Sequence, residues 1–524
     1  MCWHERRGAA MPDEQQSSSV APHVSPGWIA AALACGAMLL YLATLAPDVL
    51  WGGGDFAVFQ RRANLLELES GVFAHPLWVL LAHPFTRLPI RNPAWRANFA
   101  SAVFAVGALL TVFDIARRLT RSILAALLGT TALAVSHTFW TYAVLPKVYS
   151  LNSLLLGLCI YLLILWRESR KSVYLYGFVV VFGVSLFNHL VMATAVVGFA
   201  AFVLGETLSR WRVPASRREL LISFFLACLC LLPHVLSSTE SSAGAGSSDA
   251  VRAYLMGGLR FLVTPRYWLK GIGLGVTLLW YQFPLMIVAG AIGYLQVRSS
   301  DRRVWWLLVL VSIGNIAFVL ASADLLQGSD YIWNLHWYHP TYLVVSLLIA
   351  AGAKTVISYL RDHGIRRAVP ILVCLTLLVP VVCYSATPAI ARVVMGDMIG
   401  FRPLPGRDNF VFALSPWKHQ ETGARVLGER LLDGLPEGSV LFADYSLWAI
   451  VRYLQVVEHQ RPDVVLIEMP HRGAGQVEAI LDHTRGDRPL YLADTWRYYD
   501  LEHIEQLYRV VPEGDVYRLA PREE

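Results

Sequence analysis

The sequence predicts a polytopic α-helical membrane protein of about eleven spans, followed by a small α/β domain. Of its 524 residues, 56% are hydrophobic and only 16% are charged, whereas a soluble protein carries about a quarter charged residues. The apolar residues come in runs of about twenty, long enough to cross roughly 30 Å of hydrocarbon. After about residue 402 these runs stop, and the composition becomes that of an ordinary soluble domain.

The apolar runs divide the chain into three parts. Residues 1–26 are polar, mixed in charge and rich in serine and proline, which predicts a disordered cytoplasmic tail. A membrane domain is expected over 27–400 and an outer α/β domain over 401–524. The predicted spans lie near 28–45, 97–117, 122–142, 149–166, 172–188, 191–208, 220–236, 272–296, 304–322, 340–360 and 368–388.

Clusters of basic residues orient these spans. They alternate along the chain with loops that hold few basic residues, and basic loops stay in the cytoplasm. The +6 formal charge is explained by these loops, so no nucleic-acid partner is expected. An odd number of spans leaves the C-terminal domain outside. The clusters are Arg117, Arg118 and Arg121; Arg167, Arg170 and Lys171; Arg210, Arg212, Arg217 and Arg218; Arg298, Arg302 and Arg303; and Arg361, Arg366 and Arg367.

The segment 46–96 is predicted to be one long outer loop. Within it, residues 75–88 are apolar but number only about fourteen and include Pro76 and Pro84, so they are too short for a span. A lone crossing there would also move the Arg117 cluster to the outside. We therefore expect a helix that lies in the membrane interface or packs on the bundle.

The C-terminal domain shows a strand, helix, strand pattern. The β-branched runs 440–444 (VLFAD) and 463–468 (DVVLIE) flank a segment with helical periodicity. Residues 489–494 (PLYLAD) suggest a third strand. This order predicts a small α/β unit with parallel strands.

The cysteines indicate neither a disulfide framework nor a zinc site. All except Cys2 lie in apolar segments, and none lies in an outer loop. His336 and His339 are three residues apart, but no third ligand lies nearby. No metal site is predicted, and the cofactors stay unknown.

Asp55 is the candidate catalytic residue. It follows Gly52, Gly53 and Gly54 close to the outer end of the first span, where glycines let the backbone approach a ligand or adopt positive φ. A carboxylate there suits a general base for an acceptor hydroxyl, or a group that holds a substrate cation. The alternative is a turn aspartate that hydrogen-bonds its own backbone.

Three further residues of the same loop are candidates for donor or acceptor binding. Arg61 and Arg62 suit a phosphate because the guanidinium fork matches its oxygens, although pairing with Glu67 and Glu69 or snorkelling explains them equally. His75 precedes Pro76 at a helix start, so it either contacts a phosphate or is a surface residue next to a cap.

Other predicted outer turns contribute candidates on the same face. Residues 136–152 (SHTFWTYAVLPKVYSLN) hold Lys147, which neutralises a lipid phosphate or is solvated, and aromatic residues such as Tyr149 that suit a membrane belt. Asn188 and His189 form a polar pair at the next turn. Arg266 and His339 lie in later outer loops. This convergence on one face suggests a site for a lipid-linked substrate.

Four motifs, taken together, resemble a transmembrane O-mannosyltransferase-like family. They are TLAPDVLWGGGDF with the following HP, then SHTFWTYAVLPKVYSLN, then GVSLFNHL, and finally the C-terminal segment LPEGSVLFADYSLW…RYLQVVEHQRPDVVLIE with its RPDV element. The resemblance implies a GT-C-type glycosyltransferase, a multi-span bundle whose active site lies in the first outer loop. It also implies a sugar donor on polyprenyl phosphate and an acid in that loop as the base.

The resemblance assigns the base to Asp55 and matches His75 to the HP motif. It matches Tyr149 and Asn152 to the VYSLN motif, and Asn188 and His189 to the "nH" element. This chain departs from the family pattern at three places: an earlier acid is replaced within the three glycines, HPPG has become HPLW, and the family glutamate is Lys147.

The leading hypothesis is a GT-C glycosyltransferase of the bacterial inner membrane that moves a sugar such as mannose from polyprenyl phosphate to an extracytoplasmic protein, glycan or lipid. A lipid-linked substrate transporter or flippase is the rival, and it would show discontinuous helices, internal symmetry and paired ionisable residues near mid-membrane. A catalytically silent scaffold with a partner-binding outer domain is the third alternative.

Overall fold

The fold is a helical bundle capped by a five-stranded sheet. The computed structural model describes residues 25–53, 55–69, 75–209, 213, 217–229, 275, 278–321, 334–365, 367–396, 402–470, 474–484 and 488–522. Within these ranges seven helices are long and apolar enough to cross a membrane, which makes this a multi-pass membrane protein. They are Pro26–Thr44, Pro93–Thr120, Tyr149–Ser169, Leu190–Leu208, Arg302–Leu320, Leu335–Asp362 and Ala368–Val394.

These seven helices confirm seven of the predicted spans. The predicted span 172–188 is a shorter apolar helix, Ser172–Ser185, and a turn at 186–189 links it to the next span. The predicted spans 220–236 and 272–296 lie partly outside the described residues, which contain a helical segment at 217–229 and the helix Met286–Ser300. The total of eleven therefore stays a prediction.

The predicted continuous span 122–142 is wrong in shape, because it is two helices, Ile123–Ala134 and His137–Ala143, bent by 69°. A break inside a bundle exposes backbone groups that need partners. Here the Tyr384 hydroxyl accepts from the His137 N–H at 2.9 Å, and the Gln282 side chain accepts from the Thr138 N–H at 2.8 Å. Side chains of later helices thus stabilise the bend.

The first outer loop contains two short helices, Phe56–Leu65 (the loop helix) and Pro76–Thr86. The second has 11 residues, too few to span, and it buries Trp78, Val79 and Ala82 completely against the bundle. Of the two expected placements, packing on the bundle is the one that the structure shows.

A buried amide network holds the beginning of this loop. The Gln60 side chain donates to the Asn98 side chain at 2.9 Å and to the Asp48 carbonyl at 3.0 Å, and it accepts from the Leu50 N–H at 3.1 Å. Asn98 donates in turn to the Ala46 carbonyl at 2.9 Å. Buried polar networks of this kind fix a single backbone path when every member is paired.

Several predicted cytoplasmic clusters meet in ion pairs at one end of the bundle. Arg118 pairs with Glu168 at 2.5 Å, and Arg167 pairs with Asp301 at 2.6 Å. The fully buried carboxylate of Glu206 lies at the centre of a second group, where it contacts Arg167, Arg170 and Arg303. The ion pairs between these clusters agree with the prediction that the basic loops lie on one side of the membrane.

The C-terminal domain has strands β1 (Val440–Ala443), β2 (Val465–Glu468), β3 (Leu490–Leu492), β4 (Tyr508–Glu513) and β5 (Val516–Pro521) in the order β2-β1-β3-β5-β4. β1 pairs in parallel with β2 and β3, which confirms the predicted strands. The antiparallel pair β4 and β5 was not predicted. The helices of the domain are Asn409–Leu414, Gly423–Asp433, Tyr445–Val457 (the domain helix), Ala474–Thr484 and Leu501–Leu507.

The domain and the first outer loop share one hydrophobic core. Trp51 and Val49 of the loop are buried in the same cluster as Leu447 and Ile450 of the domain helix. At its edge, Arg425 pairs with the Asp48 carboxylate at 2.6 Å and with Glu458 at 2.6 Å. The domain therefore rests directly on the loop that carries Asp55.

Candidate functional site

Asp55 occupies a strained turn at the start of the loop helix. Its φ is 55°, in the left-handed region that non-glycine residues rarely adopt, and its N–H donates to the Gly52 carbonyl at 2.7 Å. Its side chain makes no capping hydrogen bond to the helix. The alternative of an aspartate that bonds its own backbone is thus not what the structure shows.

The Asp55 carboxylate is held by two residues from distant parts of the chain. The Lys147 ammonium lies 2.9 Å from Oδ2, and the Tyr445 hydroxyl donates to Oδ1 at 2.6 Å. Half of the Asp55 side chain remains exposed. The first outer loop, the turn before helix Tyr149–Ser169 and the C-terminal domain therefore meet at one carboxylate.

These contacts lower the pKa of Asp55. Partial burial raises the pKa, but the charge of Lys147 and the hydrogen bonds from Tyr445 and Lys147 more than offset that effect. The net pKa lies below the usual aspartate value, so the carboxylate is charged and holds Lys147 as a salt bridge. Loss of the Lys147 contact would raise the pKa of this carboxyl.

Lys147 is held in an aromatic cradle. Its ammonium lies 4.8 Å from the ring centroid of Phe59 and 5.8 Å from that of Phe56, and only 12% of its side chain is exposed. The Lys147 N–H donates to the Ser101 hydroxyl at 3.4 Å. The ammonium is thus oriented by the ring faces and by Asp55, whose own carboxylate is half exposed.

His75 lies next to this ion pair in neutral form. Its Nδ1 lies 2.7 Å from the Asn188 carbonyl, which as an acceptor requires the proton on Nδ1. Burial lowers the pKa of His75 to about 4, with a further decrease from Lys147, although the Asn188 hydrogen bond opposes it. The ring stacks on His189 at 4.9 Å and lies 5.7 Å from the Phe59 ring.

Tyr149 connects this pair to two further histidines. Its ring lies 5.5 Å from His189, 5.3 Å from His339 and 4.3 Å from His336. The Tyr142 hydroxyl lies 2.8 Å from His336 Nδ1. Lys147 thus contacts Asp55, and a chain of ring contacts links His75, His189, Tyr149 and His339 beside this ion pair.

The remaining predicted site residues form local contacts, are buried in the bundle, or lie outside the described residues. Arg61 pairs with Glu67 at 3.0 Å and Arg62 pairs with Glu69, which is the local pairing that the sequence offered as the alternative. Asn152 is fully buried inside the bundle. The Asn188 side chain donates to the Val148 carbonyl at 3.1 Å, so it fixes the turn after Lys147. Arg266 lies outside the described residues.

Three residues of the site were not predicted. They are Tyr142, His336 and Tyr445, which were not among the candidate binding residues. Tyr445 lies two residues after the end of β1. The carboxyl ends of parallel strands are where α/β domains bind ligands, which is the signal in the sequence that points to it. Among the described residues, no group of three or more His, Cys, Asp or Glu side chains could hold a metal ion.

A narrow pocket opens beside the loop helix at Phe56. Its polar wall includes His137, Thr141 and Lys418, and Lys418 is fully buried with its ammonium bonded to the Ser415 carbonyl. Burial lowers the pKa of Lys418 to about 7. The other lining residues are Thr138, Tyr142, Leu145, Leu335, Phe412 and Ala413.

Residues 74–212 match the family model described as the N-terminal domain of the protein O-mannosyl-transferase TMEM260. The matched segment contains His75, the motif 136–152 and the Asn188–His189 pair, which confirms the resemblance predicted from these motifs. Asp55 and the C-terminal domain lie outside it. No curated protein sequence matches the chain.

Solved structures share the fold over nearly the whole chain. ArnT from Cupriavidus metallidurans, crystallised with undecaprenyl phosphate, superposes with a TM-score of 0.56 at 14% identity, over 95% of this chain and all of ArnT. The apo oligosaccharyltransferase of Archaeoglobus fulgidus gives a TM-score of 0.48 at 12% identity, over 89% of this chain and 69% of that one. The match to ArnT, a GT-C glycosyltransferase, confirms the predicted GT-C-like fold.

Proposed function

We propose that this protein is a membrane glycosyltransferase that moves a sugar, in the first instance mannose, from a polyprenyl-phosphate donor to an extracytoplasmic acceptor. The observation that carries the proposal is the Asp55 carboxylate, held half-open between Lys147 and Tyr445. The undecaprenyl phosphate bound to ArnT supports the donor class, and the O-mannosyl-transferase family model supports the sugar.

In the proposed reaction, Asp55 removes the proton from the acceptor hydroxyl while that oxygen attacks the anomeric carbon. A new glycosidic C–O bond forms as the bond between the anomeric carbon and the lipid phosphate breaks. The phosphate leaves with the electron pair, and a nearby cation stabilises the charge that develops on it. Lys147 is the cation closest to the base in the structure, since it touches Asp55 itself.

Lys147 therefore has two successive roles in the proposed reaction. Without donor, it neutralises Asp55 and keeps the pKa of that carboxyl low. When the lipid phosphate enters, the ammonium turns towards the phosphate oxygens, and the loss of its charge and hydrogen bond raises the basicity of Asp55. The base thus becomes effective once the leaving group is present.

We place the site on the extracytoplasmic face of the bacterial inner membrane. The ion-paired basic clusters around Arg118, Arg167 and Glu206 are the part of the bundle that the positive-inside rule assigns to the cytoplasm. Asp55 and the C-terminal domain that rests on its loop belong to the other face. A protein, glycan or lipid acceptor then approaches from outside.

Asp55→Asn is expected to lower transfer about a hundredfold, since a general base contributes roughly 10²–10⁴ to a rate. The assay measures transfer of radiolabelled mannose from polyprenyl phosphate by membranes that contain the wild-type protein or the variant. Glu69→Gln is the matched control, because its carboxylate lies in the same loop, pairs with Arg62 and is half exposed. Equal transfer by wild type and Asp55→Asn removes Asp55 from the catalytic role, and no transfer by the wild type from any lipid-linked sugar contradicts the function.

A further inference from the structure

We propose that the C-terminal domain is part of the active site, with Tyr445 as the positioning residue that fixes which oxygen of Asp55 receives the proton. The inference rests on the proposed function, because it assigns a role within that reaction. It starts from a hydrogen bond between residues 390 positions apart, the 2.6 Å contact of the Tyr445 hydroxyl with Asp55 Oδ1. The family match over 74–212 ends before the C-terminal domain and does not include Tyr445.

The backbone docks the start of the domain helix onto the turn that carries Asp55. The Gly52 N–H donates to the Ser446 carbonyl at 3.2 Å, and three residues later the turn closes at Asp55. A Cβ atom on Gly52 would lie 2.7 Å from the Tyr445 carbonyl oxygen and 2.7 Å from the Ala449 Cβ. Glycine at position 52 therefore serves the approach of this helix, and not the approach of a ligand as the sequence suggested.

The sheet holds the helix start rigidly. Asp444 follows β1 and caps the domain helix by accepting from the Ser446 N–H at 3.0 Å. The Asp444 carboxylate also pairs with Arg402 at 2.7 Å and accepts from the Tyr499 hydroxyl at 3.2 Å. Because Asp444 is itself anchored three times, the adjacent Tyr445 has little freedom to leave the site.

The side chain of Tyr445 is packed in one orientation. Its ring stacks on Trp448 with an interplanar angle of 17°, and Trp448 lies 5.5 Å from the Arg61 guanidinium. Burial and the charge of Asp55 raise the pKa of Tyr445, so the phenol keeps its proton and acts as donor. Arg61 thus supports the site through Trp448 in this arrangement.

The two contacts divide the carboxylate between two partners. Tyr445 holds Oδ1 and Lys147 holds Oδ2. When Lys147 turns to the lipid phosphate, Oδ2 is released while Oδ1 stays bonded, so the acceptor hydroxyl meets one defined oxygen. A donor to a carboxylate also favours its charged form, so removal of the Tyr445 hydroxyl raises the pKa of Asp55.

Tyr445→Phe tests this assignment because it removes one oxygen and leaves the ring packing in place. A hydrogen bond to a charged group corresponds to about a tenfold effect, so kcat is expected to fall about tenfold with little change in the donor KM. The acid limb of the pH–rate profile is expected to move up by about one pH unit, since the base must be deprotonated. Tyr453→Phe is the control, because its hydroxyl lies on the same helix and has no hydrogen-bond partner among the described residues.

A second readout does not depend on sugar transfer. The titration of the Asp55 carboxyl is followed by ¹³C NMR in detergent-solubilised protein, with its signal assigned by its loss in Asp55→Asn. A higher pKa in Tyr445→Phe than in wild type and Tyr453→Phe supports the inference. Wild-type transfer with an unchanged profile and titration in Tyr445→Phe overturns the role of Tyr445 alone, whereas absent wild-type transfer overturns the proposed function.

Discussion

Lys147→Glu is expected to lower sugar transfer by about a thousandfold, more than Lys147→Met and more than Asp55→Asn. The substitution places a second carboxylate against Asp55, and two neighbouring carboxylates cannot both stay ionised, so the pKa of Asp55 rises strongly. It also removes the cation from the departing phosphate, and a single lost stabilising group of this kind costs about 10²–10³ in rate. The two effects combine because Lys147 contacts the base directly at 2.9 Å.

The informative point is that the resembling family carries glutamate at this position. Donor KM and kcat are measured for wild type, Lys147→Glu and Lys147→Met, so that loss of the cation is separated from gain of a carboxylate. Lys171→Glu is the control, since this exposed lysine lies in a predicted cytoplasmic cluster. Wild-type rates in Lys147→Glu would show that Lys147 serves neither the base nor the phosphate.

The sequence predicted the side of the membrane on which the site residues lie, but not the contacts between them. Membrane sidedness placed Asp55, His75, Lys147, His189 and His339 on one face, because loop charge fixes orientation without any knowledge of packing. It did not show that Lys147 touches Asp55, since nothing local links residues 92 positions apart. Lys147, which stands where the family has glutamate, forms an ion pair with the retained acid Asp55.

Local pairs were easier to anticipate than distant ones. Arg61 and Arg62 lie six and seven residues before Glu67 and Glu69, and both pairs form as the sequence alternative described. Tyr445 has its partner 390 residues away, in another part of the fold. Short-range spacing predicts the first kind of contact, whereas the second depends on how the domain docks.

The fold shows the same difference between features set by local sequence and features set by distant contacts. The length of the apolar runs was enough to predict the long spans, because a helix must be apolar over its whole length to cross roughly 30 Å of hydrocarbon. The break before His137 carries no proline or glycine, and its stabilisation comes from Tyr384 and Gln282 in later helices. The pair β4 and β5 follows a short helix without a clear alternating pattern, so only its partner β3 was recognised.

Gly352→Ala is expected to destabilise the membrane domain strongly, because the added methyl group meets the backbone of the facing helix. The helices Met286–Ser300 and His339–Asp362 touch backbone to backbone at this position. An added Cβ would lie 1.8 Å from the Ala289 carbonyl oxygen, and on the facing Gly293 it would lie 1.8 Å from the Leu348 carbonyl oxygen. No side-chain rotation relieves a clash with backbone, so the helices must separate along their length.

Separation of these helices would also disturb the candidate site, because His339 begins the second of them and stacks on Tyr149. Overpacking costs about 1–3 kcal/mol where neighbours adjust, and more where only backbone is available to move. Thermal unfolding of the detergent-solubilised protein measures the effect. Gly205→Ala is the matched control, since its added Cβ meets nothing within 4 Å and alanine favours a helix by about 1 kcal/mol over glycine. An unfolding temperature in Gly352→Ala equal to that of Gly205→Ala would mean that the two helices lie farther apart than described.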